Sequence, residues 1–542
     1  MTRPVVSSSW PPQSLSASRK RLTLVATILG SSIAILDASV VGVALPSIER
    51  ALGGGIAGQQ WVSNAYLLTL ASLILLGGSL DDIFGERRVF ALGVGGFGVC
   101  SLLCALAPSI GFLIAFRALQ GVAGALLMPS TLAVIVATFP EAERGPAIGT
   151  WTAWGTIAGA IGPLVAGLIL NVASWRWIFV INLPLVTACL WLILKAVPRS
   201  GPTKTRRRVD VVGAALCVLG LGGTVFALIE QPRLGWSNPA VSGSLIGGVL
   251  VFAAFLAYES RASDPMLRLD LFKSRSFAVG NVETLALYGG LSALFFFLVL
   301  YLQQVAGYSP LKSGLALLPE SLMMFALSSK FGALADRLGP RLFMGGGPLI
   351  AGAGMLMLLG FGVRVDYLTQ VLPGILLFSL GLSITVAPLT AATLAGVDQQ
   401  EAGIGSAVNT AVARVAGLIA TVAIGALVAA QFSASLDRHL AGQPLTPGGR
   451  AAVTEAKQLT LGRPPVAGLP PHEAAAITVA SGQSSLDAFR VGIRVASALV
   501  IVGGLIGAGG MRRPSRAVKA KQCAGGQFSG APLDAAGVHA SR

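Results

Sequence analysis

Apolar runs of about twenty residues or more recur along the whole chain, each long enough as a helix to cross the roughly 30 Å hydrocarbon core of a bilayer. In lipid every backbone N–H and C=O must be paired within its own segment, so such runs fold as helices. Of 542 residues, 54% are hydrophobic and 11% charged, with a mean hydropathy of +0.75, whereas soluble domains carry about 25% charged residues. The chain reads as an all-α polytopic membrane protein with about fourteen transmembrane helices. A net charge of +16 would suit a nucleic-acid partner. The basic residues, however, gather in short loops and at the termini, which is the signature of membrane topology, and no nucleic-acid partner is expected.

One apolar run, from Gly111 to about Phe139, contains Arg117 and Gln120. An arginine in the membrane is costly, so it faces a bundle interior or a wet cavity and has a partner. A second run, Leu22 to Leu45, is too long for a signal-peptide core and contains Asp37, which makes it a first transmembrane helix rather than a cleaved leader. Counting 1.5 Å per residue from the outer helix ends puts Asp37 roughly 13 Å deep and Arg117 about 12 Å deep. The two charges therefore share a level.

The loop after the second run carries Gly78, Leu80, Asp82, Gly85, Arg87 and Arg88, and the chain repeats itself at Gly332, Leu334, Asp336, Arg337, Gly339 and Arg341. Two copies of Gly-x-Leu-x-Asp-x-x-Gly followed by arginine indicate an internally duplicated transporter. In the first copy Ile83 stands between the acid and the second glycine, and Glu86 follows that glycine. A fifth run presents Gly155, Gly159, Gly162, Pro163 and Gly167. Glycines thin a helix for close packing, and the proline removes a backbone hydrogen bond. The string Trp175 to Phe179, with Asn182 and Pro184, places aromatics at an outer interface.

The order Leu113, Arg117, Gln120, Gly121, Gly124, Ala125 resembles the arginine-bearing fourth-helix signature of proton-driven antiporters in the major facilitator superfamily. The series Asp37, Ser39, Val40, Ala44, Leu45, Pro46 resembles their first-helix signature. The two loop copies match the superfamily's loop motif, and the glycine-proline helix resembles the motif held to mark antiporters. With the Trp175 string, the chain is similar to the fourteen-helix drug:proton antiporters of the EmrB/QacA type. The resemblance implies two six-helix halves with an extra pair of helices between them.

On that reading, 1–21 is a cytoplasmic leader and 22–197 the N-terminal half. A basic linker with the two extra helices occupies 198–276, and the C-terminal half 277–511 contains a long external loop at 431–485. The segment 512–542 is a cytoplasmic tail. The resemblance implies that Asp37, Arg117 and Glu283 are charges of a central cavity. Glu320 and Arg414 fall on helices at or beside the interface between halves. Gln120 completes the proton-coupling and substrate set. Gly78, Asp82, Gly85, Arg87, Gly332, Asp336, Arg337 and Gly339 form a cytoplasmic latch, and the glycine-proline helix takes part in gating. The implied function is efflux of lipophilic or cationic drugs in exchange for protons, with a proton-coupled importer as the alternative.

A membrane-embedded enzyme is the reading of a different class. The three histidines, His439, His472 and His539, fall in loop or tail segments, and no nucleotide-binding glycine loop adjoins a soluble domain. No catalytic residue, metal site or cofactor is expected, since the proton gradient supplies the work. Of the five cysteines, Cys100, Cys104, Cys189 and Cys217 lie in apolar runs and Cys523 in the tail. No structural disulfide is expected. The partners are a small-molecule drug, protons and the lipid bilayer, with a periplasmic adaptor as a further candidate. The protein is placed in the cell (inner) membrane, multi-pass, with both termini cytoplasmic.

Overall fold

The computed structural model describes residues 16–198, 209–398 and 402–511, except for the side chains of Asp82, Glu141, Ala142 and Ala402. The basic linker residues 199–208, the leader before Ser16 and the tail after Met511 lie outside the described residues. The first half consists of α1 (Ala17–Leu52), α2 (Gly55–Phe84), α3 (Glu86–Ala105), α4 (Ile110–Thr138), α5 (Glu141–Val172), the short α6 (Trp177–Val180) and α7 (Asn182–Ala196). The inserted pair is α8 (Val211–Leu234) and α9 (Pro239–Glu259). The second half follows as α10 (Arg275–Leu300), α11 (Pro310–Leu338), α12 (Pro340–Met357), α13 (Leu372–Leu394), α14 (Ala402–His439), α15 (Pro447–Gln458) and α16 (Pro471–Gly510).

Thirteen segments among the described residues are long and apolar enough to cross a membrane. Helix α11 falls short in hydropathy because it carries Lys312, Glu320, Lys330, Asp336 and Arg337. It nevertheless runs the length of the bundle between α5 and α13, which brings the spans to fourteen. The protein is a multi-pass membrane protein.

The duplication is visible in the backbone. Gly85 separates α2 from α3 with φ 85° and ψ 137°, and Gly339 separates α11 from α12 with φ 88° and ψ 146°. Both lie in the left-handed region where a side chain is strained, so the second glycine of each loop copy is what permits the tight reversal. The arginine two residues on acts alike in each half. Arg87 donates to the Leu194 carbonyl of α7 at 2.8 Å, and Arg341 donates to the Ala508 carbonyl of α16. Each ties the loop to the last helix of its own half, satisfying a helix C-terminal carbonyl. For these arginines the expected latch is thus a clasp within each half. The bundle end bearing Gly85 and Gly339 is called the motif end below, and the opposite end the α15 end.

The expected loop 431–485 is largely helical. Helix α14 continues to His439 and α16 starts at Pro471, so that only α15 and its flanking turns are loop-like. At 38 and 40 residues, these helices are nearly twice as long as a bilayer requires. The polar overhangs stay helical because they pair. Ser435 donates to Asp487 at 2.6 Å, and Arg490 donates to the carbonyls of Leu359 and Phe361, both at 3.1 Å. Helix α9 packs along α8 and turns Ile246, Val249 and Leu250 outward, as a lipid-facing helix does. Helix α8 lies against both α2 and α14, one from each half.

Candidate functional site

Five helices of the first half converge on Arg117. From α4 its Nη1 donates to Asp37 Oδ2 on α1 at 2.5 Å and to Gln120 Oε1 at 2.7 Å. Its Nε donates to the Val62 carbonyl of α2 at 3.1 Å, and its guanidinium carbon lies 4.4 Å from the centre of the Tyr66 ring. Gln120 Nε2 donates to Asp37 Oδ1 at 3.1 Å and to Ser101 Oγ on α3 at 2.8 Å. Asn182, the first residue of α7, donates to the same Asp37 oxygen at 2.9 Å and to Ser101 at 3.1 Å. Asp37 thus accepts from three side chains.

Asp37, Arg117, Gln120 and Asn182 are each at most 1% exposed. Taking two charges out of water costs several kcal/mol per ion, and only a closed network of donors and acceptors offsets it. That closure corrects the expected placement of Asp37, Arg117 and Gln120 on the wall of a wet cavity. They are sealed between helices of one half, because Asp37, Gln120 and the Val62 carbonyl together take over the role water would have had. Asn182, expected at the outer interface with the tryptophans, is a member of this network instead. Asn182→Ala removes one of three donors to Asp37 and should lower stability by about 1–3 kcal/mol, measured as a fall in melting temperature in detergent. An unchanged melting temperature would mean that the network does not depend on it.

Glu283 also lies away from an open cavity. It is fully buried between α10 and α16, its carboxyl occupying the space a side chain on Gly507 would need. Neither oxygen has a hydrogen-bond partner among the described residues. Glu320 and Arg414, by contrast, are partly accessible although they lie ten or more residues inside α11 and α14. Ser321 donates to Glu320 at 3.0 Å. Arg414 lies within electrostatic reach of Tyr66 and Tyr288, so Tyr66 interacts with Arg117 of its own half and with Arg414 of the other. Arg337 is exposed at the motif end, and Gly332 faces Ala387 of α13. Asp336 is the acid of the second loop copy, and the side chain of its counterpart Asp82 lies outside the described residues. Gly78 sits beside Pro129 of α4.

The glycines of α5 divide their work. Gly155, Gly159 and Gly162 face Ile35 and Ser39 of α1, within the first half. Gly167 abuts the Leu311 backbone of α11, and Gly314 of α11 abuts the Pro163 carbonyl. The halves meet at these points, beside a cavity of about 1170 Å³ at the α15 end that is lined from both halves and by α15. Gln60 also donates to the Thr421 carbonyl at 3.2 Å and Gln303 to the Val43 carbonyl at 2.9 Å, and Gly55 meets the backbone of Gln458 at the end of α15. Gly314→Val puts two methyl groups where the Pro163 carbonyl sits. It should prevent this contact and abolish transport while leaving membrane insertion intact, measured by vesicle transport alongside surface expression. Full transport by Gly314→Val would show that this contact does not have to form.

At the motif end a cavity of about 970 Å³ separates the halves, walled by α2, α4 and α5 on one side and the start of α14 on the other. The connection between α9 and α10 closes it laterally. Acidic Asp81, Glu86, Glu259, Asp264 and Asp270 line it against basic Arg144 and Arg268. Asp81 is buried and accepts from Ser130 Oγ at 2.5 Å. Sequence reading passed over it because its neighbour Asp82 fits the loop motif.

Residues 27–421 match the family model described as Major Facilitator Superfamily. The chain is 35% identical to Multidrug resistance protein Stp of Mycobacterium tuberculosis, over 77% of this chain and 78% of that protein. It is 38% identical to Puromycin resistance protein pur8 of Streptomyces alboniger, over 75% and 82%. Identity to the Tetracenomycin C resistance and export protein of Streptomyces glaucescens is 31%, over 89% of each. Among solved structures, a bacterial homologue of the human lysosomal transporter Spinster aligns over 92% of this chain and all of its own, with a TM-score of 0.60 and 18% identity. That last likeness concerns the fold.

Proposed function

The chain belongs to the major facilitator superfamily, and from that premise we propose that it exports lipophilic or cationic antibiotics and other drugs across the cell membrane in exchange for protons. The observation that carries the reading is the cavity between the halves. It lies at the motif end, whereas toward the α15 end the halves touch through Gly167 and Gly314 beside a second cavity of about 1170 Å³ lined by α15. The volume of the motif-end cavity suits a drug-sized molecule, and its acidic excess favours a cation. Relatives that cover three quarters or more of the chain are named for multidrug resistance, puromycin resistance and tetracenomycin export. The motif end is the cytoplasmic one, with both termini there. Its loops and the helix ends that adjoin them carry Arg87, Arg88, Arg144, Arg268, Lys273 and Arg341, in accord with the positive-inside rule.

Coupling is assigned to the Arg117 network. A proton arriving from outside neutralises Asp37 and breaks the ion pair. Arg117 then keeps Gln120, the Val62 carbonyl and the Tyr66 ring, and the helices that the pair held together, α1, α3, α4 and α7, are released to repack. Glu283 is the second carboxyl through which a proton passes. The membrane potential adds about 2.3 kcal/mol per charge per 100 mV. The test is puromycin accumulation by energised inside-out vesicles carrying the protein, with and without a proton uncoupler. Accumulation should collapse with the uncoupler, and accumulation that persists would overturn proton coupling.

A further inference from the structure

The inserted helices carry a feature that this exchange mechanism does not use. Asp210 caps the N-terminus of α8, its Oδ1 accepting from the Gly213 amide at 2.7 Å. Glu259 is the last residue of α9, is 2% exposed, and its Oε2 accepts from the Leu267 amide at 3.0 Å. The remaining oxygens, Asp210 Oδ2 and Glu259 Oε1, have no donor among the described residues. They face one another over Gly213, where they lie 2.6 and 2.5 Å from the point a Cβ would occupy. The groups beside them are Cys217 of α8, which feels Glu259, and Tyr258 of α9, which feels Asp210. Across the cavity mouth stand Asp81, Glu86, Arg144 and Asp264, and Arg268 is paired with Asp270 at 2.5 Å.

Two ionised carboxylates with facing oxygens and, among the described residues, no cation between them repel, and burial of one makes the repulsion stronger. Helix termini break the symmetry. A negative charge is favoured on Asp210 at the start of α8 and disfavoured on Glu259 at the end of α9. We propose that Asp210 and Glu259 form a proton-binding site in which Glu259 Oε1 carries a hydrogen and donates it to Asp210 Oδ2. The shared proton clasps α8 to the end of α9 and, through the Leu267 amide, holds the 259–270 connection against the mouth of the motif-end cavity. Loss of the proton leaves two facing charges and loosens that wall. That the clasp reads cytoplasmic pH rests on the sidedness proposed above, whereas the clasp itself rests on this geometry alone.

The experiment is pH-difference infrared spectroscopy on the full-length protein in lipid nanodiscs, without substrate and in a buffer free of sodium and divalent cations. The wild type should show a protonated-carboxyl band that disappears as the pH is raised. Asp210→Asn and Glu259→Gln should each lose that band. In Glu259→Gln the amide can donate to Asp210 at every pH, so hydrogen exchange in 261–268, corrected for its intrinsic pH dependence, should stay as slow as in the acidic wild type. In Glu259→Ala exchange should be fast at every pH. A band that survives in both single variants, or a band absent from the wild type, overturns the proposal. So does slowing of exchange at alkaline pH by added sodium or calcium, which would make the pair a metal-cation site. Puromycin transport enters none of these readouts, so the clasp and the export function can fail separately.

Discussion

Arg117→Ala should abolish the proposed proton-coupled transport and destabilise the first half by about 3–5 kcal/mol, the usual result of removing one member of a buried ion pair. The loss exceeds that of a surface pair because Asp37, at 1% exposure, is left with two neutral amide donors and without its cation. Arg117→Lys keeps the charge but not the planar fork that reaches Asp37, Gln120 and the Val62 carbonyl together, so transport should be intermediate. The control is the double replacement of Asp37 and Arg117 by leucine. It removes both charges and should recover much of the stability lost in Arg117→Ala, yet restore no coupled transport. Melting temperature in detergent and vesicle transport separate the two effects. Transport by Arg117→Ala at the wild-type level would remove the network from the mechanism.

Asp37→Asn should reduce energised puromycin accumulation to the level of downhill exchange, with a smaller loss of stability than Arg117→Ala. An asparagine oxygen can still accept from Arg117. The Asn182 amide can turn over to accept from the new NH2 group, since its own oxygen has no partner among the described residues, whereas Gln120 is held by the bond its oxygen accepts from Arg117. The variant then resembles the protonated state permanently. Its transport should lose the pH dependence of the wild type, measured as initial rates in proteoliposomes over a pH series. A wild-type pH profile in Asp37→Asn would shift the coupling role to Glu283, the other buried carboxyl in the set.

The parts legible from sequence are those where physics leaves few alternatives. A long apolar run must be a helix, and the second glycine of each loop copy, Gly85 and Gly339, must take a positive φ to reverse the chain. The counts that set Asp37 and Arg117 at one depth needed only helical rise, and the two side chains are in contact. Neutral polar residues carried no comparable signal. Asn182, Ser101 and Tyr66 are ordinary inside a transmembrane bundle, and only the packing of α2, α3 and α7 against α1 and α4 brings them to the pair. The extent of α14 and α16 was misread for a related reason. Polarity marks where a span leaves the lipid, but not whether the helix stops, and here Ser435, Asp487 and Arg490 sustain it outside. Glu283 shows the limit on faces. Its depth could be counted, but its orientation toward Gly507 rather than the space between the halves depends on how α16 packs.

Proton coupling through Asp37 is tested most directly by proton movement itself. Purified wild type and Asp37→Asn are reconstituted into proteoliposomes containing a pH-sensitive dye, and an outward puromycin gradient is imposed without any starting pH difference. The wild type should move protons opposite to puromycin, at a rate that follows puromycin flux. Asp37→Asn should pass puromycin down its gradient with no proton signal above that of empty liposomes. A proton signal in Asp37→Asn that matches the wild type per puromycin transported would contradict the assignment.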